Sequence, residues 1–336
     1  MGGVRPQRRW LHAPFQPAVR RGTLAVAADG RVAGLPTEFQ PRRIRIAFTA
    51  RQMELYGRAV RNAAHAGFLS DVLDAKAVQD AVPLAGDGVF GGHHYRFGGH
   101  ANPHRTVQGY AWAMADRGGR LMQNTEVLGF DQAGGRVTGV RTSRGVFCCD
   151  QLVLAAGPST AKLAAMLDVH VPMMAARAEM VVTEPLPLMQ MGGVDGNGLY
   201  GRQTLRGDLA YGGGPHEWLA EGDDPPPRSA TPRALHIAAR LAELFPRAAH
   251  ARAIRNWAGI IENTPDGRPV IERLNSPDNV VLVSLSSIGF GLSPATGHAV
   301  QQLVTDGHCS FADLSSLSLA RFAQLEPDWA RIQGWA

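Results

Sequence analysis

Four histidines, His93, His94, His100 and His104, crowd the Gly-rich stretch "GGHHYRFGGHANPH". Imidazoles at that density could ligate a metal or move protons. Their spacing matches no established ligand motif and no carboxylate stands beside them, so no metal site is expected. The thiols are Cys148, Cys149 and Cys309, an odd number without CxxC spacing, which argues against a disulfide framework or a zinc site. Two glycine patterns, "GDGVFG" at 86–91 and "GNGLYG" at 196–201, share the spelling of a turn that cradles a pyrophosphate on backbone amides. Neither follows a clear buried strand or opens a helix. Among 39 glycines such matches arise by chance.

Elements must position whatever chemistry the chain does. The 336 residues, 45% hydrophobic, suffice for a large core and two intertwined domains. No run approaches the roughly eighteen apolar residues of a membrane span, and the Arg-rich opening lacks the apolar stretch of a signal peptide, so a cytoplasmic protein is expected. The net charge is +5, but only Lys76 and Lys162 are lysines and the arginines are spread over the whole chain. No basic run interleaved with aromatics appears, so nucleic acid is not an expected partner.

Residues 1–43 are rich in Arg, Pro and Gly and read as loops. "IRIAFTA" reads as a strand, and "ARQMELYGRAVRNAAHAG" as a helix stopped at Gly67. "SDVLDAKAVQDAVPL" reads as a short connection and a helix closed by Pro83, and a further helix is expected from Arg105 to Asp116. "LMQNTEVLGFDQAGGRVTGVRTSRGVFCCDQLVLAAG" reads as three short strands, with turns at Gly134–Gly135 and Arg144–Gly145, leading into "LVLAA". That apolar run belongs inside a parallel sheet, with Gly157 opening the next helix. "AEMVVTEPL", "GLYGRQTLRGDLAYGGG" and "AIRNWAGIIEN" read as antiparallel strands. Between them "TPRALHIAARLAELFP" is a helix with Thr231 as N-cap. "NVVLVSLSS" is a buried strand and "SPATGHAVQQLVTDG" a helix bounded by Pro294 and Gly307.

The segments "QNTEVLGF", "GGRVTGVRTSRG", "LVLAAG", "WAGIIENTPDGRPVIE" and "SSIGFGLSPATGHAV" occur in an order that resembles the FAD-dependent D-amino acid oxidase-like family. The resemblance is strongest to sarcosine oxidase beta subunits and to the subunits of opine and hydroxyproline oxidases. It implies an α/β, mixed α+β fold: a Rossmann-like FAD layer, truncated at its front, with an interleaved antiparallel substrate domain. The expected partition is 1–43 as a remnant of the FAD domain, 44–104 substrate domain, 105–168 FAD domain, 169–256 antiparallel substrate domain, and 257–336 return to the FAD domain. The family's GG-V-R segment, which follows the GxGxxG unit in its members, begins here at Gly2, so the chain reads as starting just past that unit.

By resemblance, FAD would touch Gly3, Arg5, Val127, Ala156, Gly157, Gly289, Phe290, Gly291 and Leu292. Glycines let backbone approach an aromatic ring system, and a helix N-terminus stabilises negative charge on a reduced flavin; the same glycines also read as plain turns. Pro103 stands where related beta subunits carry a flavin-linking histidine, so covalent FMN is not expected. The implied reaction is hydride removal from the carbon beside an amine nitrogen of a small amine or amino acid. Substrate contacts would come from Tyr200, Arg202 and Trp257, with Arg96 and His100 behind them: a guanidinium for a carboxylate, aromatics for walls. Ordinary strand packing is the competing reading of each. Partner subunits of a hetero-oligomeric oxidase are one expectation for the missing contacts. The alternative is a non-catalytic remnant that binds FAD weakly or not at all.

Overall fold

The computed structural model describes residues 31–332 apart from 33, 66 and 221–227. Gly3 and Arg5 lie outside the described residues. A small hairpin of β1 (Arg31–Val32) and β2 (Leu35–Pro36) leads into β3 (Gln40–Ala47), α1 (Ala50–His65), β4 (Ser70–Asp74), α2 (Ala75–Ala81), β5 (Gly91–His100) and α3 (Pro103–Ala115). The meander β6 (Val127–Ala133), β7 (Arg136–Thr142) and β8 (Gly145–Cys148) precedes β9 (Leu152–Leu154) and α4 (Thr160–Ala165). The long β10 (Met174–Pro185), β11 (Val194–Asp195), β12 (Leu199–Gln203), β13 (Asp208–Gly213) and β14 (Glu217–Trp218) come next. They are followed by α5 (Thr231–Leu244), β15 (Ala253–Asn263), β16 (Val270–Arg273), β17 (Val280–Ser284) and α6 (Gly289–Thr305).

Three sheets matter for function. β9 pairs in parallel with β17, and β16 flanks β17 antiparallel. β12, β13, β10 and β15 form an antiparallel sheet, with β14 also on β10. β3, β5 and β4 are antiparallel, with β11 parallel to β3. The chain therefore leaves the parallel layer after β9, builds the antiparallel layer, and returns at β16 and β17. Among the described residues no helix is long and apolar enough to cross a membrane.

Apolar packing fixes this arrangement. Ile44 and Ile46 of β3, Val78 of α2, Val181 of β10, Leu209 and Tyr211 of β13 and Leu244 of α5 are buried in one cluster. Phe130, Val137, Leu154, Val280 and Leu282 form a second. Each such side chain contributes about 1.5–3 kcal/mol on burial. Asn279, itself buried, ties the meander to β17: its Oδ1 accepts the Val137 N–H (2.9 Å) and its Nδ2 donates to the Val137 and Asp150 carbonyls (2.7 and 3.0 Å).

Several local expectations are corrected. The Gly/His-rich stretch is a ten-residue strand, β5, between β3 and β4. Its glycines permit close approach: a Cβ on Gly92 would lie 2.9 Å from Val78 and 3.1 Å from the Arg45 carbonyl. β9 is only three residues long, and Val153 is 41% exposed because β9 pairs only with β17 among the described residues. Thr231 is the first residue of α5 rather than its N-cap; Ala230 caps, and its N–H goes to the Glu179 carboxylate at 3.0 and 3.1 Å. α6 begins at Gly289, five residues before Pro294. Proline removes the helical bond to the Phe290 carbonyl, and the Ser293 hydroxyl donates to that oxygen instead, at 3.0 Å.

Candidate active site

In sheets with parallel strands, ligands collect outside the strands' carboxyl ends. Here those ends belong to β9 and β17. After β9 the chain passes Ala156 and turns at Gly157, whose φ of +55° suits glycine, into a short 3-10 turn and α4. After β17 it turns through Ser286 (φ +48°) and Ser287 (φ +67°), two consecutive non-glycine residues in the left-handed region. It then enters α6, whose N-cap Ile288 supplies no side-chain acceptor, so the first-turn N–H groups stand uncapped. Phe290 is exposed and Leu292 buried at this end of α6.

The strained Ser286–Ser287 turn is held from β15. Thr264 N–H donates to Ser286 Oγ at 3.1 Å, and Ser287 Oγ donates to the Glu262 carbonyl at 2.6 Å, with Asn263 Oδ1 3.0 Å away. Burial pushes the pKa of the Glu262 carboxyl up, against the nearby backbone N–H groups of Leu285 and Ser287. A Cβ on Gly157 would lie 4.0 Å from Glu262 Oε2. The turns after both parallel strands thus lie beside Glu262 at the end of the antiparallel β15.

The antiparallel sheet presents one face to its core and one away from it. Val181, Leu199, Leu209 and Tyr211 occupy the core face. On the opposite face, ladder register lines up Tyr200, Gly212, Met180 and Trp257 in one row across β12, β13, β10 and β15. Gly212 is required in that row, because a Cβ there would meet Met180 Sδ at 2.3 Å. Arg202 lies two residues beyond Tyr200 on the same face, and Gly259 two beyond Trp257. Arg255 covers the Trp257 ring with its guanidinium 5.2 Å from the centroid.

Tyr200, Arg202 and Trp257 are therefore brought onto a single surface. Arg202 is half-buried and forms no ion pair among the described residues; burial, and then the positive Arg43, lower its pKa. Glu38, the acidic group acting on it, is already engaged by Arg105 at 2.8 Å and Asn102 at 2.9 Å. His100 is close enough to feel Arg43 and Arg202; burial first, then those cations, hold it down to about 4, so its ring is neutral. Its Nδ1 is buried without a hydrogen-bond partner among the described residues. Tyr200 is a neutral phenol, its pKa raised by burial and then by Asp195. Arg96 is not in this group: it is exposed and donates to Asp71 on β4 at 2.6 Å. Val127 and Ala156 pack on the second core cluster beside β9. Glu262, Met180 and Gly259 escaped sequence reasoning. The charged residue in the otherwise apolar "GIIEN" was the available signal for the first.

Two strand-end turns and an uncapped helix terminus thus adjoin the end of β15, a strand of the sheet that carries Tyr200, Arg202 and Trp257. Comparison with known proteins makes this specific. The family model described as FAD dependent oxidoreductase matches residues 2–303, and the chain belongs to this family. It is 30% identical over 298 residues to sarcosine oxidase subunit beta of Rhodobacter capsulatus, covering 85% of this chain and 70% of that one. Against the sarcosine oxidase subunit beta of Rhizobium meliloti it is 31% identical over 222 residues, covering 65% of this chain and 52% of that one. Glycine oxidase of Pseudomonas putida is 29% identical over 206 residues, 59% of this chain and 53% of that one. Among solved structures, L-proline dehydrogenase from P. horikoshii superposes with a TM-score of 0.85 at 20% identity, covering 96% of this chain and 87% of that one. Glycine oxidase from Geobacillus kaustophilus gives 0.83 at 22%, covering 92% and 83%.

FAD is the cofactor of the family, and the described residues fit its ring end. Chain neighbours and the backbone of α6 aside, no atom of the described residues lies within 4 Å of a Cβ built on Gly259 or Gly291, and only Glu262 comes that near at Gly157. These glycines leave room at the open helix end for a flat ring. The two GxGxxG-like stretches are not cradles. Residues 86–90 lead into β5, which begins at Gly91, and 196–198 form the turn before β12, with Asn197 and Gly198 at φ +51° and +77°.

Proposed function

We propose that this chain oxidises the carbon–nitrogen bond of a small amine bearing a carboxylate, an N-alkyl or α-amino acid, with FAD at the carboxyl edge of β9 and β17. Arg202 carries the reading: a half-buried guanidinium with no carboxylate partner among the described residues, sharing a sheet face with Tyr200 and Trp257. A guanidinium so placed suits bidentate pairing with a carboxylate. The similarity to a sarcosine oxidase subunit and to glycine oxidase supports a small amino acid over a bulky amine.

The turns at Gly157 and Ser286–Ser287 and the first turn of α6 would hold FAD, which would supply a hydride acceptor for the carbon beside nitrogen. Arg202 fixes the carboxylate, while Trp257, Met180 and Tyr200 wall the substrate and exclude water from the reacting carbon. His100, neutral beside Arg202, contributes no charge to compete for that carboxylate. The neutral amine gives up a hydride from carbon, which leaves an iminium ion; water hydrolyses it to a carbonyl compound and an amine, with the proton released to solvent.

Relatives named as subunits, sarcosine oxidase subunit beta and hydrogen cyanide synthase subunit HcnC, support operation within a hetero-oligomer. Val107, Tyr110, Trp112 and Met114 on α3 are exposed, which suits a partner surface. A second reading, a chain that keeps the substrate sheet but holds FAD weakly, rests on the lack of a GxGxxG cradle among the described residues.

The test is a substrate panel on the FAD-loaded chain: sarcosine, glycine, D-alanine and proline beside dimethylamine, which lacks the carboxylate. Flavin reduction by the acids, with Arg202→Met removing the preference for them, supports the proposal. Equal response to acids and dimethylamine in the unaltered chain refutes the carboxylate role.

A further inference from the structure

We infer that Arg43 is a positioning residue: it braces the outer edge of β12 at Gly201, and so sets where Arg202 presents its guanidinium, while Asp195 engages the charge of Arg43 itself. The substrate part rests on the carboxylate reading of Arg202 above; the brace stands on hydrogen-bond geometry alone. Among the described residues β12 ends its sheet, so its outward backbone groups need partners from beyond the ladder. Leu199 exchanges two bonds with Gly196, at 2.8 and 3.1 Å, and the Gln203 N–H donates to the Gly192 carbonyl at 2.8 Å. Midway between them the Gly201 carbonyl accepts from Arg43 Nη2 at 3.1 Å. Gly201 lies between Tyr200 and Arg202, so a shift of its peptide moves both side chains.

Arg43 reaches this edge from β3. Its stem passes two glycines: a Cβ on Gly193 would lie 3.1 Å from Arg43 Cγ, and one on Gly98 3.6 Å from Cδ. The same head pairs with Asp195 of β11 and points Nη1 at the Gly99 carbonyl of β5, 3.4 Å away and next to His100. Four strands, β3, β5, β11 and β12, therefore meet at one largely buried guanidinium. Two guanidiniums flank this stretch of β12, and Asp195 pairs with Arg43, which leaves Arg202 as the one without an ion pair among the described residues. Lysine at position 43 would keep a cation for Asp195 but lacks the planar fork that reaches two carbonyls as well. Methionine would keep the stem and no donor, and would leave Asp195 unpaired.

The experiment compares wild type, Arg43→Lys and Arg43→Met, each also combined with Arg202→Met. Amide hydrogen exchange on the FAD-free proteins reads the brace. Exchange over 199–203 about tenfold faster in the methionine variant and intermediate in the lysine variant, with β15 unchanged, is the expected result. Equal protection of 199–203 in all three proteins, or an equal rise in β15, overturns the brace. Steady-state kinetics of the FAD-loaded proteins with sarcosine reads the substrate part. Arg43→Met should raise KM about tenfold and Arg43→Lys about threefold, with kcat changed less than KM in each. Combined with Arg202→Met, neither should raise KM by more than about twofold further, because Arg43 acts through Arg202. A fall in kcat at unchanged KM overturns the positioning role. So does a KM rise of full size in the Arg202→Met background, which would mean that Arg43 meets the carboxylate itself. Where sarcosine is not oxidised, the responding acid of the panel above takes its place. If no acid responds in wild type, the carboxylate reading fails on its own and exchange decides the brace. If the methionine variant does not fold, the lysine variant, which keeps the ion pair, decides both assays.

Discussion

Trp257 stands directly across the β10–β15 ladder from Met180, and the same row continues through Gly212 to Tyr200. Strand register, rather than sequence proximity, creates the candidate substrate wall, since residues 180, 200, 212 and 257 come from four strands. Arg202 stands beside that row on the same face.

Arg202→Met should raise KM for a carboxylated amine about 10- to 100-fold while lowering kcat much less, because a ground-state anchor is lost. Arg202→Lys should recover only part, since an ammonium cannot form the planar fork. Steady-state kinetics with sarcosine or another responding acid check this. A large fall in kcat at unchanged KM would contradict it.

Gly291 gives a test that separates folding from cofactor binding. It is exposed in the first turn of α6 and, chain neighbours and the helix backbone aside, a Cβ there meets no atom of the described residues. Gly291→Ala should therefore leave thermal stability unchanged or raise it, by up to about 1 kcal/mol from helix propensity. FAD affinity should fall, because the methyl group enters the ring's space. Thermal melts without FAD and a titration with it give the two readings, and parallel losses in both would contradict the assignment.

His93 and His100 predict the acid limb of stability. Burial is the first cause in both, holding each down to about 4 from an ordinary 6.5. Between those values the unfolded chain binds protons that the folded chain refuses, so stability is full above about pH 6.5 and falls as pH drops toward 4. Each histidine contributes on the order of 1–3 kcal/mol to that fall. His93 has both ring nitrogens unpartnered among the described residues and packs 3.9 Å from the Tyr95 ring centroid. His93→Phe should thus fold and flatten the acid limb. Melting temperatures across pH 4–8 for the two proteins test it; an unchanged slope would contradict it.

Gly212→Leu should fill the row from within. A Cβ at 212 already meets Met180 Sδ at 2.3 Å and the Glu179 carbonyl at 2.5 Å, so a branched side chain must displace the Met180 side chain or backbone. A stability loss of about 1–3 kcal/mol is expected from overpacking, with weaker substrate binding. A chemical denaturation curve alongside KM measures both.

Much of this was legible in the sequence, for identifiable reasons. The meander β6–β8 showed through its Gly134–Gly135 and Gly145 turns, all at positive φ in the structure, and β17 through its run of apolar residues. Tyr200 and Arg202 could be placed on one face from period-two alternation alone. Their alignment with Met180 and Trp257 could not, because register between strands of distant sequence is set by packing. β5 was hidden because its glycines carry low strand propensity, yet contact with Val78 and the Arg45 carbonyl demands them. The start of α6 was hidden because Pro294 reads as a boundary, whereas Ser293 satisfies the carbonyl that the proline abandons. Glu262 was hidden because the turn its backbone carbonyl anchors, at Ser287, lies 25 residues away and is brought to it by packing.

The most direct test is to incubate the purified chain with FAD, remove free cofactor by gel filtration, and mix the product anaerobically with carboxylated amines while following the visible flavin band. Retained flavin that is bleached by at least one small amino acid, and far more slowly in Arg202→Met, is the predicted result. A colourless chain after gel filtration, or retained flavin that no carboxylated amine reduces, would contradict the claim that it is an FAD-dependent amine oxidoreductase.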